Sequence, residues 1–116
     1  LKTLTAGENV SANNLCYLKS DGKMWKVAAS AATTTDGFLA IATASISADA
    51  TGVFHVRGEY TTSGLTAASP YFISPTVGTY QATAPSTTNQ YVRKIGFALS
   101  TTVLWFNPSN DYAKVQ

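Results

Sequence analysis

Short apolar runs, each broken within a few residues by glycine, proline or an aspartate–glycine pair, recur along the whole of this chain. That punctuation suits strands and tight turns. The i, i+3, i+4, i+7 spacing of an amphipathic helix is absent. The expected fold is therefore all-β: a small compact barrel or sandwich of about eight or nine short strands.

The runs can be placed one by one. Leu15 to Lys19 reads as a strand, Ser20-Asp21-Gly22 as a hairpin turn, and Lys23 to Ala28 as the return strand. An Ala/Thr-rich loop spans 29–36. Phe38 to Ala44 is apolar on both faces, so a central strand buried on both sides is expected. Asp49 to Gly52 turns the chain into an alternating run, Val53 to Tyr60. Phe54, Val56 and Tyr60 should face the core, and Val53, His55, Arg57 and Glu59 the solvent or a partner. Thr102 to Phe106 should pair with Ile95 to Leu99 and end at Asn107-Pro108, because proline cannot donate to a ladder.

The second half echoes the first. Tyr17-Leu18, Gly22 and Met24 align with Phe72-Ile73, Gly78 and Tyr80 once one residue is inserted. An Ala/Ser/Thr loop and a long apolar strand follow in each half. This predicts an internal duplication: two hairpin-plus-strand units sharing one core. The organisation expected is an N-terminal entry segment or docking arm at 1–12, a β domain at 13–108 and a polar tail at 109–116. The chain opens at Leu1, as a processed product or one module of a longer polypeptide would.

At 116 residues there is enough chain for about one domain with one modest core. Much of the 45% hydrophobic content is alanine, so burial must come from the aromatics and from Val, Leu and Ile. Charged residues make up 12%, about half the usual share, which leaves few groups for acid–base chemistry. The net charge of +2 is weak and its basic residues are scattered, which argues against nucleic acid. No apolar run approaches the roughly 20 residues of a membrane helix, and no signal-peptide pattern stands out.

The residue types for catalysis are scarce. Asp21, Asp36 and Asp49 precede turn glycines closely, where aspartate is favoured for its own backbone bonding. Nothing sets two acids at glycosidase spacing. One histidine and one cysteine make no zinc site, and Asp49-Ala50-Thr51-Gly52 lacks the repeated acids of a calcium loop. No Gly-x-Ser-x-Gly elbow exists, and His55 falls within a strand, where a solvated face position is expected. Cys16 reads as a small buried thiol. No catalytic residue, cofactor or metal is therefore expected. Among the aromatics, Trp25, Tyr80, Tyr91, Trp105 and Tyr112 suit either sugar stacking or core and subunit interfaces. Trp25, Tyr80 and Tyr112 are the candidates for an interface or glycan contact.

Three strings carry a family resemblance. Leu4 to Ala12 followed by Tyr17 to Lys23 looks like the opening of modules found in phage tail-fibre and head-decoration proteins. Gly64 to Ser74 is similar to their mid-domain segment, although Ala68-Ser69-Pro70 stands where a glycine-acid-proline entry is usual. Thr83 to Ser86, Val92 to Ser100 and Phe106 to Ser109 resemble their closing strands. The chain thus resembles a tailed-bacteriophage virion surface module. The resemblance implies a non-enzymatic protein on the virion exterior, usually a homotrimer, bound to phage coat or fibre proteins. A capsid decoration or head-fibre role is expected first, and a tail-fibre module touching host glycans second. The terminal segments would then be docking arms.

Overall fold

The computed structural model describes residues 1–28, 37–109 and 113–115. In chain order the first half holds β1 (Lys2–Thr5), β2 (Leu15–Leu18), β3 (Met24–Lys26), β4 (Leu39–Ala42) and β5 (Thr51–His55). The second half holds β6 (Gly58–Thr61), β7 (Pro70–Ile73), β8 (Tyr80–Gln81), β9 (Tyr91–Val92), β10 (Lys94–Ala98), β11 (Val103–Phe106) and β12 (Ala113–Lys114). The described residues form no helix. The expected all-β body is present, built from more and shorter strands than the sequence suggested.

Turn chemistry places the first hairpin where expected. Lys19 N–H donates to the Lys23 carbonyl at 2.9 Å, and Asp21 Oδ1 accepts the Lys23 N–H at 2.9 Å. β2 and β3 then pair as Tyr17 with Trp25 and Leu18 with Met24. The 29–36 loop lies outside the described residues.

Two five-stranded antiparallel sheets result, and they share one plan. The first runs β1-β5-β4-β2-β3, and the second runs β6-β11-β10-β7-β8. Entry strand, hairpin, central strand and return strand occupy the same places in both, so the duplication is carried by topology. The register keeps the expected residue match: Leu18 pairs with Met24 and Ile73 with Tyr80, so Leu18 corresponds to Ile73 and Met24 to Tyr80. The facing differs, because Tyr17 turns to the shared core in the first hairpin and Ile73 in the second. The second sheet also carries a bulge, where the pairing of β10 with β7 shifts between Lys94 and Gly96. Gly96 sits at φ +155°, and a Cβ there would run into the Trp105 carbonyl, so only glycine fits the bulge.

The core divides in two. Alternation in β2 and β4 sends Leu15, Tyr17, Leu39 and Ile41 to one face of the first sheet. There they meet Tyr60, Tyr71, Ile73, Ile95, Leu104 and Phe106 of the second sheet, which makes a sandwich. Cys16, Ala40, Ala42 and Phe54 point the other way, under Ala6, Val10 and Ile46 from the flanking loops. All four residues of β4 are consequently buried, as the apolar run predicted.

Several expected boundaries move. The 1–12 segment is not a free arm: β1 pairs with β5 from Lys2–Phe54 to Thr5–Thr51. Beyond β1, Ala6 bridges Met24, Gly7 N–H donates to the Met24 carbonyl at 2.8 Å, and a Glu8 carboxylate oxygen accepts Lys26 N–H at 2.9 Å. The entry segment thereby covers the β3 edge and curls the first sheet toward closure. In the expected 109–116 tail, β12 pairs with β9. The run 53–60 is two strands, not one. Gly58 at φ +100° redirects the chain from the first sheet to the second. His55 is half-buried at that crossing rather than solvated, with Nε2 at 3.1 Å from the Gly58 carbonyl and its ring beside Tyr60 and Phe106. The facing was legible even so: Phe54 and Tyr60 are buried, and Val53 and Glu59 are exposed.

Candidate functional site

The expected contact aromatics have internal partners. Trp25 on β3 is half-buried against the shared core. Its Nε1 donates to Asp21 at 3.2 Å, and Lys19 Nζ lies 4.4 Å from the ring centroid. The Gly7 backbone lies so close to the ring that a Cβ would collide with it. Tyr80 on β8 is also half-buried, edge-on to Tyr71 at 6.1 Å. Burial raises the Tyr80 pKa. Tyr112 lies outside the described residues. The fold therefore brings Trp25 and Tyr80 to the margins of one core and uses both there.

The titratable groups are likewise engaged in structure. Glu8 holds the β3 edge, Asp21 holds the hairpin turn, and Asp49 pairs with Lys23 at 2.7 Å. Among the described residues no three His, Cys, Asp or Glu side chains gather as a metal site would require. Cys16 is fully buried, and burial, reinforced by Glu8, pushes its thiol up to about 12. Such a thiol is protonated at neutral pH and is a poor nucleophile. Arg93 is buried at the seam between the sheets, where Nε donates to the Ser109 carbonyl at 2.7 Å and one terminal nitrogen to the Gly37 carbonyl at 2.8 Å.

Among the described residues, one face of the second sheet is open. Leu104 and Phe106 of β11 point into the core, so Val103 and Trp105 point out. The register sets Phe97 opposite Trp105, Glu59 on Trp105's other side and Pro70 on Phe97's other side. Leu99 N–H donates to the Val103 carbonyl at 2.8 Å and extends the face by one row. Phe97, Leu99 and Trp105 are 42%, 58% and 42% exposed, which is high for residues of this size side by side on one sheet. Lys94 Nζ leans over the Phe97 ring at 4.8 Å from its centroid.

The bareness has a cause in loop length. In the first sheet, residues 43–50 between β4 and β5 fold back and lay Ile46 over the sheet, bridged to Val10. The matching connection in the second sheet is the tight turn 99–102, which is too short to cover anything. Sequence reasoning weighed Trp105 but missed Phe97 and Leu99. The signal was present: Val103 to Phe106 is apolar at every position, as Leu39 to Ala42 is, and so demands two covers. No protein-family model matches this chain, and neither a curated protein nor a solved structure matches it.

Proposed function

We propose that this protein is a non-enzymatic structural module of a tailed-phage virion exterior, a capsid-decoration or head-fibre protein that acts as several copies on the coat shell. The observation that carries the reading is the open face of the second sheet. An isolated chain leaves Phe97, Leu99 and Trp105 in water, and an assembly covers them. A surface of Ser, Thr and Asn with few charges suits an exposed particle protein, and the resemblance of the three strings supplies the location. The mechanism is additive: each subunit buries a patch against its neighbours, and many small contacts together resist expansion of the shell. The terminal segments contribute to the body of the domain, so contact falls to sheet faces rather than to arms. Antibodies raised against the purified chain test this by immunogold microscopy of tailed-phage particles from its source. Gold on the head surface is expected. Particles that carry no gold anywhere, beside protein free in the lysate, overturn the reading.

A further inference from the structure

We propose that Lys26 and Asn14 join through an intramolecular isopeptide bond, with Glu8 as the proton carrier. The three side chains are half-buried and lie away from the open face, where the turn between β7 and β8 meets the first sheet.

Strand pairing puts the reacting pair together. Lys26 is opposite Cys16, and Asn14 stands two residues before Cys16. Asn14 continues the β2 ladder, because its carbonyl accepts the Ala42 N–H at 2.9 Å. Asn14 is thus the diagonal neighbour of Lys26 on the face that Cys16 shares. Diagonal neighbours are about 7–8 Å apart, a gap that a lysine and an asparagine side chain together span. Gly78 shows that the two side chains meet. A Cβ there would stand 3.1 Å from Lys26 Cδ and 3.2 Å from Asn14 Nδ2, so both border one point. The Lys26 amine is two bonds beyond Cδ, and Asn14 Cγ is one bond from Nδ2. Turning the last two torsions of the lysine brings nitrogen to carbon.

The amide is held for attack and the amine is uncommitted. Asn14 Oδ1 accepts the Ser11 N–H at 2.8 Å, and Nδ2 donates to the Gly78 carbonyl at 3.4 Å. The Ser11 N–H therefore sits on the oxygen where negative charge develops. Among the described residues Lys23 is paired with Asp49, whereas the Lys26 ammonium has no ion pair. A Glu8 carboxylate oxygen accepts the N–H of Lys26 itself at 2.9 Å, which leaves the other oxygen for a proton. Glu8 and Lys26 are both near enough to Cys16 to act on its thiol.

The step balances. Lys26 gives one proton to Glu8, and its neutral amine adds to Asn14 Cγ. A second proton moves from the attacking nitrogen to Nδ2. The Cγ–Nδ2 bond breaks, and ammonia leaves with the proton from Glu8 as ammonium. One C–N bond replaces another, and nothing is oxidised or reduced.

Mass spectrometry of the denatured full chain reads the bond directly. After incubation at about pH 9, where more of the lysine is neutral, the parent is expected to weigh one ammonia less than its sequence. Trypsin cuts between the two residues, after Lys19 and Lys23, and the peptides holding Asn14 and Lys26 are expected to stay joined. Lys26→Arg and Asn14→Ala, each checked for folding by circular dichroism, are expected to keep their full mass. Glu8→Gln is expected to slow the loss roughly a hundredfold. A parent at full mass overturns the bond. So does an ammonia loss confined to Asn14 as a succinimide, with the tryptic peptides separate, or a loss that persists in Lys26→Arg. A Glu8→Gln chain that reacts as fast as the parent overturns the part given to Glu8.

Discussion

Two side chains show how strongly this small fold controls single groups. Cys16 sits between Leu15 and Tyr17 in β2 but faces the other way, under Ala6, Val10 and Ile46. Burial holds its thiol up at about 12, so at pH 8 almost none is thiolate. An aromatic disulfide reagent should release no colour from the native protein and one equivalent once denaturant is added. A prompt reaction without denaturant would mean that the loops over Cys16 open readily. Tyr60 joins the two sheets through its hydroxyl, which donates to Asn13 Oδ1. Burial, with Tyr80 adding to it, pushes Tyr60 up to about 12 from the ordinary value of 10.0. Tyr17 and Tyr80 are raised as well, chiefly by burial. A phenol whose folded pKa exceeds its unfolded value contributes stability that is complete below pH 10 and lost as pH climbs toward 12. Urea midpoints should therefore hold steady up to about pH 9 and fall between about pH 10 and 12. Tyr60→Phe should flatten that fall; an unchanged alkaline slope in the variant would refute the assignment.

At the scale of elements, the edges decide what the sheets can do. β3 ends the first sheet, and its outer rim is covered by residues 6–8, with Glu8 accepting the Lys26 N–H. Glu8→Ala removes a charged acceptor from a partly buried backbone donor and should cost about 1–2 kcal/mol in urea unfolding. A loss under a few tenths would mean that the backbone bond from Gly7 to Met24 closes the edge alone. Most of the element plan was legible from residue order. The hairpin at 20–22 was marked by its glycine, the doubly buried β4 by an unbroken apolar run, and the pairing of β10 with β11 by a short turn. What escaped was set by long-range pairing. Nothing local in Lys2 to Thr5 says that it will be an edge strand beside β5, because its partner is some fifty residues away. The bulge at Gly96 depends on the Trp105 carbonyl across the sheet, which no single run displays. The candidate site followed the same division. Trp25 and Tyr80 were visible as aromatics, but the bond from Trp25 to Asp21 and the ring contact of Tyr80 with Tyr71 were not. Phe97 became important only when its loop cover proved to be missing.

At the scale of the molecule, the repeat in topology raises the question of whether each half is a folding unit. The shared core argues against it. Leu15, Tyr17, Leu39 and Ile41 of the first sheet pack in one cluster with Ile73, Ile95, Leu104 and Phe106 of the second, so each sheet covers the other's inner face. Backbone bonds add to this join: Leu15 N–H donates to the Gly78 carbonyl at 2.9 Å, and Gly78 N–H to the Val27 carbonyl at 2.7 Å. Separating the sheets would expose both apolar faces at once, at roughly 25 cal/mol for each Å². The smaller core beneath Val10 and Ile46 belongs to the first sheet alone and is rich in alanine, so it offers little to hold that half by itself. The two tryptophans report the halves separately, since Trp25 is on the first sheet and Trp105 on the outer face of the second. In Trp25→Phe the fluorescence follows the second sheet, and in Trp105→Phe it follows the first. Within each variant, the urea midpoint by fluorescence should coincide with that by far-ultraviolet circular dichroism, as two-state unfolding requires. A fluorescence midpoint displaced from the dichroism midpoint in either variant would show that one sheet survives the other, and that the inter-sheet core is weaker than its burial implies.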